Sequence, residues 1–376
     1  MISRRQTLAL GVASLAAGAA PAFAAAKTPI IVNALGGIMN PNIRLGQKTQ
    51  LLTGGEDLDI DTRAIADARA SGVTAVNCTL GYVSGPDDPH QFTLESLDQW
   101  DALVKANPAE LMVIRKAGDL LKARDENKVG LIYGFQNALQ VGEHLERVDE
   151  YAARGVRVIQ LTYNPANTLG DGSMAPENRG LTPLGHRVVE KLNAARLMVD
   201  LSHSGERTCL DAIAASKTPI SINHTGCRAL TDLPRNKTDA ELRGVAEKGG
   251  FVGIYFMPFL TLDGHPHATD VVAHIEHALK VCGEDHVGIG TDGSITAIDD
   301  LKVYQGALEK EIADRVAAGI GAKGERPDTY PFVVDLRGVD QFRTLAGMLS
   351  ARGHSARVID KILGLNFLSY ARAVWG

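Results

Sequence analysis

The sequence predicts an α/β fold, a (β/α)8 TIM-like barrel, on three observations. Eight short apolar runs rich in β-forming residues recur along the chain. Most are separated by segments of helical periodicity, the alternation that builds parallel sheets. Metal-capable side chains stand just past three of the runs, at the strand ends where such barrels carry their chemistry.

Taken in order, the predicted strands are 30–34 (IIVNA), 73–78 (VTAVNC), 129–135 (VGLIYGF), 158–163 (VIQLTY), 198–202 (MVDLS), 220–223 (ISIN), 251–256 (FVGIYF) and 287–291 (VGIGT). Helical periodicity over 60–71 leads into the second strand, and over 141–154 it follows the third. Residues 164–181, rich in Gly, Asn and Pro, read as a long loop after the fourth strand that could lie over the barrel mouth. Residues 263–268 form a second loop; its His265-Pro266-His267 resembles a metal pair, but the intervening proline favours a solvated turn. The tail, 339–376, reads as terminal helices.

With 376 residues and 45% hydrophobic composition, one large barrel accounts for the chain more simply than two domains. Net charge is -5, and the basic residues form no runs interleaved with aromatics, which argues against a nucleic-acid partner and for a small molecule or peptide. Residues 1–26 are expected to be an export signal. Arg4 and Arg5 precede a mild Ala/Leu-rich stretch that ends at Ala22-Phe23-Ala24, a small-residue cleavage pattern. SRRQTL fits the twin-arginine pattern, the alternative being an ordinary secretory signal. Either places the mature barrel, 27–376, in the periplasm. The apolar stretch 7–20 falls short of the roughly 20 residues that span a bilayer, and no later segment reaches that length, so no integral membrane segment is expected in the mature chain. Cys78, Cys209, Cys227 and Cys282 have no C-x-x-C spacing. Four buried thiols are the default, with a Cys209–Cys227 disulfide as the oxidising-compartment alternative.

The residues that carry chemistry are His203 after LMVDLS, His224 after TPISIN and Asp292 after HVGIGT. Each has a plain structural reading: a lone histidine after a strand is commonly a hydrogen-bonded structural residue, and an aspartate there commonly caps the next helix. Two imidazoles and a carboxylate at equivalent places in three βα units favour instead a barrel of the metal-dependent hydrolase type, in which an ion activates water.

At DLSHSGERT (200–208), INHTGCRAL (222–230), PRNKTD (234–239) and HVGIGTDG (286–293) the chain resembles the membrane, or renal, dipeptidase family. The likeness continues through GVRVIQLTYNPAN (155–167), GLTPLGHRVVEKLN (180–193) and KILGLNF (361–367), covering nearly all of the mature chain in the family's order. The resemblance implies a (β/α)8 barrel that holds two zinc ions and cleaves dipeptides. It also implies that His203 and His224 match the histidines of the second zinc, and that Asp292 matches the aspartate handling the proton of the attacking water. Arg235 matches the arginine that grips the substrate carboxylate, a task suited to a planar guanidinium; the plain alternative is an ion pair with Asp239. Family members are often homodimers.

Three positions depart from the family. Its first zinc is held by an H-x-D pair where this chain has Leu35 and Gly37 in NALGG, and its bridging glutamate is replaced by Gln136. Tyr163 stands where the family has a histidine near the scissile carbonyl, and could still donate a hydrogen bond. The expectation is therefore one zinc on His203 and His224, with Gln136 or Asp292 as a third partner and water as a fourth. Such a site implies an exported, dipeptidase-like metallohydrolase cleaving a peptide or amide bond in a small carboxylate-bearing substrate. The alternative is a diverged one-metal or metal-free barrel that processes or binds a modified peptide or metabolite as a periplasmic maturation or accessory protein.

Overall fold

The computed structural model describes residues 28–376, so the expected export signal lies outside the described residues. Nine strands form one all-parallel sheet: β1 (Val32–Asn33), β2 (Ala75–Thr79), β3 (Leu111–Val113), β4 (Val129–Phe135), β5 (Val156–Gln160), β6 (Met198–Asp200), β7 (Ser221–Thr225), β8 (Phe251–Ile254) and β9 (Val287–Ile289). Eight of them run in the order β1-β2-β4-β5-β6-β7-β8-β9, and β3 pairs beside β4. Backbone bonds join the ends of that series: Ala34 donates to Ile289 O at 3.0 Å, Asp292 to Leu35 O at 2.9 Å and Gly37 to Gly293 O at 3.0 Å. The fold is a (β/α)8 barrel. Every residue of β4 is buried, as expected of a parallel strand covered on both faces.

All eight expected strands are present, and β3 is an addition. Its three residues, LMV, follow directly on the pattern of the helix Pro89–Ala106, and so short a run carries no period of its own. The helix expected at 60–71 forms as Thr62–Ser71, started by Asp61, whose side chain accepts from Ala64 N, and stopped at Gly72 with φ 77°. The one expected over 141–154 is shorter, Arg147–Arg154, because Gly142 takes a left-handed φ of 53° that helix does not allow.

Loop 164–181 contains neither helix nor strand. It folds back so tightly that a Cβ on Gly172 would lie 2.1 Å from Tyr163 O, a close approach open only to glycine. In the second loop the imidazole of His265 stacks on Tyr330 at 4.7 Å, and His267 Nδ1 lies 3.3 Å from Asp335 Oδ2. Both histidines are thus structural. The four cysteines are buried free thiols, with no Cys209–Cys227 bond. No described helix is long and apolar enough to cross a membrane.

The tail forms the helices Gln341–Ala351, Ala356–Asp360 and Asn366–Trp375, the last two joined by one π-helical turn, Lys361–Leu365. Asn366 Nδ2 donates to Glu284 O and Val287 O, each at 2.8 Å, pinning this end to the start of β9. Phe367, Leu368 and Trp375 pack there with Ile30 and Val32 in a core cluster of their own. The KILGLNF motif therefore serves the closed end of the barrel, opposite the chemistry.

One element had no counterpart in the sequence expectations. After β9 the chain forms a helix, Leu301–Ala317, capped by Asp300, whose side chain accepts from Lys302 N and Val303 N. Residues 318–340 then cross back beside the C-terminal mouth without regular structure.

Candidate active site

The C-terminal strand ends open into a cavity of ≈ 850 Å³, and Gln136, Tyr163, His203, Arg235 and Asp292 line it directly. His224 lies just behind, against Gln136 and Asp292.

Asp200, at the end of β6, sets the register of the two histidines. Its carboxylate accepts from Ser202 N at 3.0 Å, Ser202 Oγ at 2.5 Å and Asn223 N at 3.0 Å, while Ser202 Oγ accepts from His224 N at 3.0 Å. One buried carboxylate thus ties β6 to β7 and places the imidazole centroids 5.0 Å apart. His203 is fixed on all sides: Nδ1 donates to Asn164 Oδ1 at 2.7 Å, Nε2 accepts from Arg235 Nη2 at 3.4 Å, and the Tyr163 ring stacks on it at 4.2 Å. That pattern fixes the tautomer with the proton on Nδ1. Burial, helped by the Arg235 charge, holds both imidazoles well below their usual pKa, so both are neutral.

Arg235 is 1% exposed, so it is anchored before it meets any ligand. Nη1 donates to Ser202 O at 2.6 Å, and the guanidinium lies 5.8 Å over the Tyr255 ring. The ion pair with Asp239 does not form; Asp239 pairs with His277 at 2.7 Å. Lys237, two residues on, is equally buried and pairs with Glu241 at 3.3 Å.

Asp292 adopts a left-handed backbone, φ 57°, uncommon for a residue with a side chain and a recurrent sign of a functional position. Its Oδ2 lies 3.9 Å from His224 Nε2. Burial raises its pKa to about 6, against the opposing pull of Arg235 and Arg315. A carboxyl with that pKa can take and return a proton near neutrality. Asp292 does not cap the following helix, which Asp300 does.

Gln136 follows β4. Its Oε1 accepts from Thr79 Oγ1 at 3.0 Å and its Nε2 donates toward His224 Nε2 at 3.5 Å, so an N–H, and not the oxygen, faces the imidazole. The expected ligand role for Gln136 therefore meets an oxygen already engaged elsewhere.

The helix Leu301–Ala317 and the irregular segment after it bring in two residues that sequence reasoning missed. Both Nη atoms of Arg315 lie 3.4 Å from Tyr163 Oη, and Glu325 backs Arg315 at 2.7 Å. The phenol oxygen accepts from Arg315, leaving its own hydrogen free to donate. The only signal available in the sequence was the helical spacing of Tyr304, Leu308, Ile312 and Arg315 after an N-cap aspartate.

The family's two-ion centre does not fit these residues. Leu35 is buried and apolar, and Gly37 has no side chain. The neighbouring strand ends are pinned by amides: Asn33 Nδ2 donates to Thr291 Oγ1, Thr291 N donates to Asn33 Oδ1, and Asn77 Nδ2 donates to Ala34 O, all at 2.7–2.8 Å. Among the described residues no three His, Cys, Asp or Glu side chains form a ready ion cage. The remaining donor chemistry suits one ion at most: two neutral imidazoles beside one carboxylate. Asn164 orients His203 from behind, as metal-bound histidines generally require, while buried His224 Nδ1 has no hydrogen-bond partner.

A closed parallel barrel with imidazoles and a carboxylate at its C-terminal mouth is the architecture of the metal-dependent hydrolases. Within that class the chain belongs to the membrane dipeptidase family, peptidase family M19, whose sequence profile matches residues 55–320. That family comprises dipeptidase-like metallopeptidases. The chain is 27% identical over 326 residues to the dipeptidase tcpJ of Claviceps purpurea, covering 84% of this chain and 69% of that one. It is similar to the structure of an amidohydrolase from Pseudomonas aeruginosa at 29% identity and a TM-score of 0.76, covering 93% of this chain and 97% of that one. It shares its fold with a metallopeptidase from Rhodobacter sphaeroides solved with a phosphinate mimic of the dipeptide L-Ala-D-Ala, at 19% identity and a TM-score of 0.70 over 93% and 100% of the two chains.

Proposed function

We propose that the protein is an exported hydrolase that cleaves a peptide or amide bond in a small carboxylate-bearing substrate, with one zinc ion. The observation that carries this reading is the placement of Asp292, titrating at about 6, 3.9 Å from neutral His224 in a cavity it shares with Arg235. His203 and His224 are the residues that would hold the ion, which when bound supplies Lewis-acid polarisation of the scissile carbonyl. Asp292 takes a proton from the attacking water and returns it to the leaving amine nitrogen. Tyr163, its oxygen engaged by Arg315, donates its hydrogen toward the charge that develops on the carbonyl oxygen. Arg235, held rigid by Ser202 O and Tyr255, receives the substrate carboxylate. Arg4 and Arg5 ahead of the Ala/Leu-rich stretch support export to the periplasm.

A second reading, a barrel that binds a modified peptide without cleaving it, is favoured by the Arg235–His203 contact, which gives one imidazole lone pair a protein donor. The two part on one experiment: a dipeptide panel and matching C-terminal amides are offered to the purified mature protein before and after chelation. The hydrolase reading expects cleavage of the free acids, at least about tenfold weaker cleavage of the amides, and loss of both on chelation. Binding of the free acids with no cleavage under any condition gives the second reading.

A further inference from the structure

The helix Leu301–Ala317 has no continuous apolar stripe turned to the core of the kind a surface helix usually buries. Tyr304, Leu308, Ile312 and Arg315 recur at helical spacing and line the cavity that holds Asp292. Leu308 alone is fully buried in that helix. Met257 and Phe259 also line the cavity, and Phe332, stacked on Tyr330 at 5.1 Å, packs against Tyr304 at 5.9 Å. A single space therefore has one end carrying Arg235, Asp292 and Arg315 and a largely apolar wall, in which Tyr304 packs on Tyr330 and Phe332 and Ile312 stays partly exposed to the cavity. At ≈ 850 Å³ it lies near the top of the range, about 300–1,000 Å³, that encloses drug-sized ligands, well beyond the needs of a small dipeptide.

We propose that the substrate is amphiphilic: an N-acylated amino acid or peptide whose carboxylate and amide sit at the charged end and whose acyl chain completes the core beneath this helix. The proposal rests on the hydrolase reading for its reaction but not for its binding. Hydrolysis adds one water across the amide C–N bond, releasing a fatty acid and an amine. The stripe explains why Arg315 and Tyr304 share one helix: the same element that supports Tyr163 through Arg315 lays its apolar face along the chain of the ligand.

The test uses N-alkylsulfonyl-alanines with chains of two, six and ten carbons, uncleavable stand-ins for the amide, titrated calorimetrically into the full mature protein. Affinity should rise by about threefold per methylene until the chain fills the cavity. Ile312→Glu, which puts a charge on the stripe, should flatten that dependence and leave the two-carbon ligand unaffected. Val316→Glu, on the outward face at 66% exposure, should leave the whole series unchanged. A flat series in the unaltered protein, or a slope that survives Ile312→Glu, overturns the proposal. So does a dimer that Ile312→Glu dissociates in sedimentation, because a second copy would then be what covers the stripe. Hydrolysis of N-acetyl- and N-decanoyl-alanine separates the two readings. Equal cleavage with no chain-length effect leaves the hydrolase standing without its acyl site, and steep binding without cleavage leaves the acyl site without the reaction.

Discussion

Asp292→Asn is expected to lower the proposed hydrolysis by about 10²–10⁴-fold and at the same time to make the protein more stable. The activity loss follows from removing the carboxyl beside His224 that is proposed to shuttle the proton. The stability gain follows from linkage. Burial raises the folded pKa of Asp292 from an ordinary 3.8 to about 6. The folded state thus holds the proton more tightly than the unfolded state, and the stability this confers is present below the unfolded pKa and lost as pH rises through about 6. Above pH 6 the native protein carries a desolvated carboxylate, at a cost on the order of 2–3 kcal/mol. Asparagine removes the charge and also tolerates the left-handed φ of 57° better. Thermal unfolding of chelator-treated protein should show a higher midpoint for the variant by several degrees at pH 7.5, shrinking toward zero near pH 4. An unchanged or lower midpoint at pH 7.5 would contradict the strain assigned to this residue.

His203→Ala lowers turnover by at least about a hundredfold and leaves the substrate carboxylate bound. The imidazole is the hub of the site: Asn164 orients it, Tyr163 stacks on it and Arg235 donates to it. Removing it deletes one of the two imidazoles available to an ion and frees the phenol that it positions. Arg235 keeps its bond to Ser202 O and its place over Tyr255, so a substrate analogue should bind with an affinity within about tenfold of the parent. Steady-state kinetics and calorimetry on the same variant check both halves. Turnover that persists would remove His203 from the chemistry, and loss of binding in a folded variant would assign it to recognition.

The strands were legible because parallel strands buried on both faces read as apolar runs, and β4 is the clearest case, buried at all seven positions. His203, His224 and Asp292 were legible for a related reason, since polar side chains directly after such runs fall at the mouth of the barrel. β3 was not legible, because three apolar residues after a long helix carry no period. Nor could any local pattern show that buried Asp200, one residue of the DLSH motif, accepts two bonds from Ser202 and a third from Asn223 N across on β7. Arg315 and Glu325 were hidden for another reason: Arg315 meets Tyr163 from 152 positions along the chain, and their pairing exists only once the helix lies beside the mouth. The losses at Leu35, Gly37 and Gln136 could be read directly, but what replaced them could not. The paired bonds between Asn33 and Thr291 close the seam, and they belong to residues 258 positions apart.

Those replacements bear on the central proposal, a barrel of this family with one ion where the resemblance implies two. Elemental analysis of the mature protein purified after native export, alongside His203→Ala, tests it directly. About one zinc per chain in the parent, lost in the variant, is the expected result. Two per chain, none, or one that survives the loss of His203 would contradict it.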